Sequence, residues 1–502
     1  MPDVRQFYEG ENVFITGGTG FMGKILIEKL LRYCPEIGNI YLLMRIKKGK
    51  PTHERLSEIA TLPMFDPLRK INPDFQTKLV PISGDASKPG LGLSSEDRSI
   101  ITTEVSIVFH AAAATRFDDS LRFSVPINVN SVIEVINICR ECQKLKAAVY
   151  VSTAFSQCVH VHENIEEKVY PISMTYEEIN NTVQIMKRRN FSEKDEVQFT
   201  RILLGEFPNT YVFTKSIAEG VLNEQARDLP FSIFRFPIAI ATYKEPVPGW
   251  VDTVQGFNQA IIGIGIGVIR VLNIDINAHA HMVPADFACN ALIATAWETS
   301  TFENRDNPEE LPVYNYVSDE CNILTWNSLR KMMQNRRYAY LPMKTIYFPD
   351  SFVIKSTKVF AFAHFILHLI PALLGDVVLR ILGKPPILYK VYKKGNKLLR
   401  VTRFFLLWNW TFESKKVQSL WKKLSKADKE LIPFDLTTID WEDVATKHWN
   451  GTLKYALRDF ATTEERMRKS NRLRRIHRTV QVLSATFMIW VLWKLYLALF
   501  EV

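Results

Sequence analysis

The run NVFITG from Asn12, the glycine-rich turn behind it and the segment KILIEKLLRYC that follows constrain this chain more than any other stretch. An apolar run of strand length, a turn built on glycines and a helical spacing of apolar residues read as strand, tight turn and helix in that order. A second apolar run, IYLLMR, comes after about the spacing of one βαβ unit, and VSIVFHAA, AAVYVSTAF and FSIFRFPIAI recur later with helical patterns between them. Strands that read as unbroken apolar runs and alternate with helices belong in a parallel sheet covered on both faces.

The fold class expected is therefore α/β, a Rossmann-type doubly wound parallel sheet, but 502 residues exceed what one hydrophobic core serves. From about Phe352 the chain turns to long helical stretches rich in aromatic and basic residues, where a second domain should begin. The organisation expected is a sheet domain over 1–350, a helical carboxy-terminal domain over 351–460, a basic segment over 461–478 and an apolar tail over 479–500. With 47% hydrophobic and 23% charged residues, disordered and collagen-like classes are excluded. Six cysteines and an opening, MPDVRQFYEG, without the marks of a secretory signal argue against a disulfide scaffold and for a reducing, cytosol-facing body.

The net charge of +10 is unevenly spread. Between Ala461 and Arg478 seven basic residues face two acidic ones, so half of the excess lies in one short stretch and nucleic acid is not the partner it points to. Val480–Phe500 is mostly apolar, Lys494 its one charged residue, and at about 1.5 Å per residue it reaches roughly the 30 Å of a bilayer core. A tail anchor with the basic run on the cytosolic side follows, Lys494 snorkelling to the far interface; the alternative is a segment lying in the membrane plane. The run VFAFAHFILHLIPALL is shorter than a normal span and holds Pro371 and two histidines, so it is expected as buried core or a membrane-dipping surface.

In TGGTGFMGK, Gly17, Gly20 and Gly23 recur every three residues, and Gly18, Gly20 and Gly23 satisfy G-x-G-x-x-G. Following a strand and opening a helix, this is the dinucleotide fingerprint: glycines for the turn and the close approach of a pyrophosphate, with helix N–H groups facing it across Thr19, Phe21 and Met22. The second strand ends in LMRIKKGK where an acidic residue would bind the ribose hydroxyls of NAD. Arg45, with Lys47 and Lys48 behind it, pairs instead with a 2′-phosphate, so NADPH is the cofactor expected. Asp85, in SGDASKPG, is placed either to accept from an adenine amino group or to make an Asx turn.

Tyr211 and Lys215 stand four apart on one helical face, and an adjacent ammonium should lower the phenol's ordinary pKa of about 10, making a proton donor usable near neutrality. Upstream, VSTAF offers Ser152 and Thr153 at a strand end as donors to a substrate carbonyl.

The order glycine turn, hydroxyl, tyrosine, lysine resembles the extended short-chain dehydrogenase/reductase superfamily. TGGTGFMG, IYLLMR, HAAAATRFDDSL, INVNSV, YVSTAF, YVFTK and KEPVPGWVD, with HFILHLIPALLGDVVLRILGKPP, FESKKVQSLW and IDWEDVATKHWNGTLKYAL downstream, narrow the resemblance to alcohol-forming fatty acyl-CoA reductases over nearly the whole chain. The resemblance implies a tetrad at Asn128, Thr153, Tyr211 and Lys215, with Ser152 as the rival hydroxyl, and cofactor contacts at Ala111, Ala112 and Pro237. FRFPIAI departs from the family's usual Arg-Pro-Ser ending at that last position. It further implies a long-chain fatty acyl-CoA substrate, reduced with NADPH through a retained aldehyde to a primary alcohol while CoA leaves, in an enclosed apolar tunnel. The anchored body would then work at a membrane, the endoplasmic reticulum favoured over the peroxisome because FEV is no peroxisomal tripeptide. The alternatives are a membrane-bound hydroxysteroid dehydrogenase-like reductase and a catalytically silent lipid-binding scaffold.

Three other signals read as structural. Cys139 and Cys142 lie in a helical stretch and are expected in core packing, His364 and His368 share a helix face, and His160 and His162 fall in a surface loop; no metal site is expected. No G-x-S-x-G elbow occurs, which leaves serine hydrolysis without support.

Overall fold

A computed structural model describes all residues except 1–2, 48, 173, 302–308, 319–321, 337–340 and 501–502; Lys48 thus lies outside the described residues. Seven strands form one sheet: β1 (Asn12–Thr16), β2 (Ile40–Met44), β3 (Leu79–Ser83), β4 (Val105–His110), β5 (Ala147–Thr153), β6 (Phe231–Phe236) and β7 (Val313–Asn315). Their spatial order is β7-β6-β5-β4-β1-β2-β3 and every pairing is parallel. Residues of β4 and β5 are buried on both faces throughout, which is why these strands read as continuous apolar runs rather than alternating ones. The order reverses between β1 and β4, and a doubly wound sheet opens its ligand crevice beyond the carboxyl ends of the strands at that point.

Four helices matter to that crevice: α1 (Phe21–Tyr33), α2 (Ser131–Glu141), α3 (Thr210–Gln225) and α4 (Ala285–Thr299). On one side of the sheet Phe14 and Val108 pack with Val132 and Ile136 of α2 and with Phe213, Ile217 and Val221 of α3 in a single buried cluster. Residues Thr210 to Leu222 of α3 are nearly all buried, among them Lys215 and Glu219. This explains why α3 lacks a polar stripe in sequence.

The chain divides into two compact units, and they interleave. The first comprises Met1–Asp252, Ala278–Leu324 and Trp408–Gly451; the second comprises Thr253–Asn277, Thr325–Leu407 and Thr452–Val502. This differs from a linear boundary at 350, because a stretch late in the chain completes the sheet unit. Thr411–Phe412 pairs with Asn164–Ile165, Trp410 is 1% exposed, and the buried carboxylate of Glu167 accepts from the backbone N–H groups of Asn315 (3.0 Å) and Lys416 (2.6 Å).

In the second unit α5 (Thr357–His364) runs through one π turn, Phe365–Leu369, into α6 (Ile370–Ile381), and α7 (Leu388–Leu407) packs along α6. The final helix is α8 (Thr463–Phe500). Two helical stretches are long and apolar enough to cross a membrane, Thr357–Ile381 with 25 residues and Thr463–Leu497 with 35. The first contains the run expected, as shorter than a span and holding Pro371 and two histidines, to be buried core or a membrane-dipping surface; it is longer than that run and mostly not buried. The π turn just before the proline accommodates the missing N–H and the ring, so the helix carries on past it. The basic half of α8 docks within its unit: Arg466 donates to the Leu341 carbonyl (2.9 Å) and pairs with Asp459 (2.9 Å), and His477 meets the Tyr347 hydroxyl (2.8 Å). Its apolar half, with Phe487, Trp490 and Leu492, is exposed.

Candidate active site

The glycine turn connects β1 to α1, and each glycine is required for a different reason. Gly17 has φ +78°, and a Cβ there would stand 2.6 Å from the Ala111 carbonyl carbon and 2.7 Å from the Ala112 nitrogen. Gly23 packs the helix onto the turn, where a Cβ would fall 2.4 Å from the Gly17 oxygen, and Gly18 is buried against Leu42 and Ile27. Gly20 alone opens outward, exposed and at the N-cap of α1 with no side chain capping the helix. Helix geometry leaves the N–H groups of Phe21, Met22 and Gly23 without intrahelical acceptors, with Thr19 on the rim. Amides pointing from a glycine cradle at the positive end of a helix fit the pyrophosphate of a dinucleotide.

The neighbouring strand end is locked to this turn. The Ala111 N–H donates to the Thr16 carbonyl (3.1 Å) and the Ala112 N–H to the Thr16 hydroxyl (3.2 Å). Thr16 in turn bonds His110 Nδ1 at 2.6 Å, and His110 Nε2 meets Ser131 Oγ at 3.1 Å. Ser131 spends its hydroxyl proton on the Ile127 carbonyl, so the network assigns the imidazole proton to Nε2. Burial, with the Lys215 charge adding to it, lowers His110 to about 3, so this ring stays neutral.

At the ends of β2 and β3, Arg45 stands 4.0 Å from Asp85, and the Arg45 side chain remains more than half exposed. Asp85 makes the Asx turn: its Oδ1 accepts from the Ser87 N–H (2.9 Å) and hydroxyl (2.8 Å). That oxygen is committed, whereas Oδ2 faces Arg45.

The strand pleat separates the two rival hydroxyls. Ser152 donates to Glu219 at 2.5 Å, inside a fully buried ion pair of Glu219 with Arg235 (2.7 Å), and Gln157 adds a donor at 3.0 Å. Thr153 faces the other way, and its hydroxyl accepts from the Phe155 N–H (3.3 Å). Tyr211 sits at the second position of α3, whose N-terminus Asn209 caps by accepting from the Val212 N–H (3.1 Å), and its ring lies 6.0 Å from that of Phe117.

The electrostatics differ from the sequence expectation that Lys215 lowers the tyrosine. Burial, reinforced by the Glu219 charge, pushes Tyr211 up to about 12, and only the Thr153 hydroxyl opposes this. Lys215 is turned away into the core, donating to the Val151 carbonyl (2.7 Å) and the Tyr150 hydroxyl (3.1 Å) with its charge 4.3 Å above the Tyr150 ring. Burial brings Lys215 down to about 7, with Glu219 opposing. Asn128 lies in a π turn, Pro126–Asn130, that precedes α2. Its amide accepts from the Ala114 N–H (2.7 Å) and donates to the Thr214 hydroxyl (2.8 Å), so it reaches α3 through Thr214, between Tyr211 and Lys215. Pro237 is buried where β6 hands over to Ile238–Ile240.

Phe117, His110, Tyr150, Glu219 and Arg235 were missed from sequence. Two carried a signal: Glu219 continues the Tyr211, Lys215 series by one more helical turn, and Arg235 is the lone charge in the apolar strand FSIFRF.

Comparison with known proteins agrees with this geometry. Residues 15–292 match a nicotinamide-dinucleotide-binding family model and residues 367–459 a second, carboxy-terminal one, both described as male sterility protein. Fatty acyl-CoA reductase wat of Drosophila melanogaster is 38% identical over 98% of this chain and 93% of its own. Fatty acyl-CoA reductase 1 of Homo sapiens is 31% identical over 99% of this chain and 94% of its own. Among solved structures, the terminal R domain of the myxalamid PKS-NRPS pathway aligns with a TM-score of 0.58 at 16% identity, covering 90% of this chain and 93% of that one. The reductase (R) domain of a nonribosomal peptide synthetase from Mycobacterium tuberculosis gives 0.56 at 15%, covering 88% and 91%; at such identities these two speak for the fold. Given relatives aligned over nearly their whole length and a family model that spans the sheet from the glycine turn onward, this chain belongs to the fatty acyl-CoA reductase family.

Proposed function

We propose that the protein reduces long-chain fatty acyl-CoA to primary fatty alcohol at the expense of two NADPH, releasing CoA and retaining the intermediate aldehyde. The observation that carries this reading is the similarity of the chain, over nearly its full length, to fatty acyl-CoA reductases, with Thr153 closing β5 and Tyr211 opening α3. Arg45, exposed at the end of β2, is the group suited to a 2′-phosphate, which favours NADPH over NADH.

The bound nicotinamide supplies hydride to the thioester carbon and, in a second round, to the aldehyde carbon. Thr153 and Tyr211 hold the carbonyl oxygen and stabilise the charge that grows on it. Tyr211 is a phenol at every physiological pH, so it enters each round as the acid and gives its proton to that oxygen. Collapse of the resulting hemithioacetal breaks the carbon–sulfur bond and sends CoA out as the thiol. Asn128 holds the tyrosine helix through Thr214, and Lys215, near neutrality in its buried position, is the group able to replace the phenol proton once its Nζ leaves Val151 and Tyr150. Phe117 lies beside the Tyr211 ring.

A long acyl chain partitions into lipid at about 0.8 kcal/mol per CH₂, so a membrane-held enzyme meets its substrate where it resides. The apolar half of α8 serves as the anchor, with the basic run on the cytosolic side and the endoplasmic reticulum favoured. The test is turnover by detergent-solubilised full-length protein given NADPH and palmitoyl-CoA or longer thioesters. Alcohol should form with two NADPH consumed for each, and Tyr211→Phe should abolish it while NADPH fluorescence still reports binding. Oxidation of a sterol with NAD, and no turnover of any thioester, would replace this reading with a hydroxysteroid dehydrogenase-like one.

A further inference from the structure

The helical hairpin of the second unit is built inside out. Along α5, the π turn and α6, the residues that face inward are His364, His368, Ala372 and Asp376, four apart and so on one face. The polar groups of this stripe are satisfied there. His368 Nε2 accepts from the Arg270 N–H (2.8 Å), His368 Nδ1 and His364 Nδ1 meet at 3.1 Å, and His364 Nε2 meets Asn396 Oδ1 at 3.2 Å. Asp376 accepts from the backbone N–H groups of Leu388 (2.8 Å) and Tyr389 (3.0 Å), stitching α6 to the start of α7. The opposite face is apolar and exposed among the described residues: Phe362 is 70% exposed, Leu374 62% and Ile381 79%, with Phe365, Val377 and Val378 each above half. A soluble helix presents the reverse arrangement.

The packed partner shows what covers that face. In its 20 residues α7 carries Lys390, Lys393, Lys394, Lys397, Arg400 and Arg403 and no carboxylate. A helix of that charge cannot enter hydrocarbon, and α6 is fastened to it, so the pair cannot cross a bilayer as a hairpin. A helix with an outward apolar face and a basic helix along its side matches a membrane interface, apolar side chains among the acyl chains and lysines among anionic headgroups.

We infer that α5–α6 lies in the plane of an anionic membrane, embedded by its Phe362, Leu374 and Ile381 face with α7 along the headgroups, so that the protein touches its membrane by a second element besides the terminal helix. This goes beyond the proposed reaction and stands or falls without it.

The test places nitroxide labels singly at positions 362, 366, 374, 377 and 381 of the full-length chain, with Cys142 and Cys321 replaced by serine, reconstituted in vesicles of phosphatidylcholine with phosphatidylserine. Collision with oxygen and with a water-soluble nickel chelate gives the depth of each label. Labels from 362 to 381 should all report one shallow depth, oxygen-rich and nickel-poor. A spanning helix would instead change depth steadily by about 28 Å over those 19 residues, and that result overturns the inference. Nickel access at every position, or spin–spin broadening at 374 that marks a second copy seated on the face, overturns it as well. In vesicles of phosphatidylcholine alone, nickel access at 377 should rise; equal access in both vesicles removes α7 from the headgroups. A label at position 492 reads the terminal helix separately, and NADPH fluorescence certifies that each labelled chain is folded.

Discussion

Ser152 and Thr153 are adjacent hydroxyls at one strand end, and the pleat gives them separate work. Ser152 is one of four donors around the Glu219 carboxylate, beside Arg235 Nε (3.0 Å), Arg235 Nη2 (2.7 Å) and Gln157 Nε2 (3.0 Å). Ser152→Ala leaves three, and a hydrogen bond to a charged group is worth about 1.5–3 kcal/mol, so the unfolding free energy should fall by that amount. In a urea titration the midpoint drops while the slope stays constant. Turnover of Ser152→Ala should stay close to the parent enzyme. Thr153→Ala should act chiefly on the rate. Its loss removes a donor to the developing oxyanion, worth about 2.7–4 kcal/mol and so roughly 10²–10³ in kcat, while loss of its cap to the Phe155 N–H lowers the unfolding free energy by about 0.5–2 kcal/mol. Thr153→Ser should recover most of the rate. An Ser152→Ala enzyme that keeps its stability and loses its turnover, beside an active Thr153→Ala enzyme, would refute the assignment of the two hydroxyls.

Three further outcomes follow from the site. Lys215 is lowered to about 7 from an ordinary 10.5, so between those values the unfolded chain holds a proton that the folded one lacks. The cost of burying Lys215 is full below pH 7 and falls away towards 10.5, so Lys215→Met should flatten the rise of stability with pH measured across that window. If its ammonium feeds Tyr211, kcat/KM falls as pH rises through about 7, and Lys215→Arg moves that limb to higher pH. Arg45→Ala should raise the KM for NADPH by about 10- to 100-fold, the range of one charge-assisted hydrogen bond, and leave that for NADH nearly unchanged. Gly17→Ala forces a side chain to φ +78° against the Ala111 backbone, costing at least about 1–2 kcal/mol, and should abolish NADPH binding in a fluorescence titration.

The sheet and its glycine turn were legible because each signal is local: an apolar run, three glycines at fixed spacing and a helix behind them. The turn's role in packing was less so, since only the structure shows that Gly17 clears Ala111 while Gly20 faces outward. Tyr211 and Lys215 could be found from their spacing, but not where the ammonium points. That depends on Tyr150 and Val151, some sixty residues earlier on a neighbouring strand. Glu219 and Arg235 escaped for the same reason, because a buried ion pair joins a helix to a strand and neither residue announces the other. The interleaving of the two units was invisible to composition, which changes near Phe352 although the sheet unit is completed only by 408–451.

That interleaving bears on the order of events during synthesis. The sheet unit cannot close until residue 451 has left the ribosome, because Asp428 accepts from the Val4 N–H and the Tyr33 hydroxyl, and Thr411–Phe412 supplies a strand beside Asn164–Ile165. The apolar stretch from Val480 follows close behind, so it nears the tunnel mouth just as the nucleotide-binding half becomes able to finish folding. A nascent chain stalled at 350 would hold every residue of the tyrosine helix and none of the late strand, and would stay open at that edge.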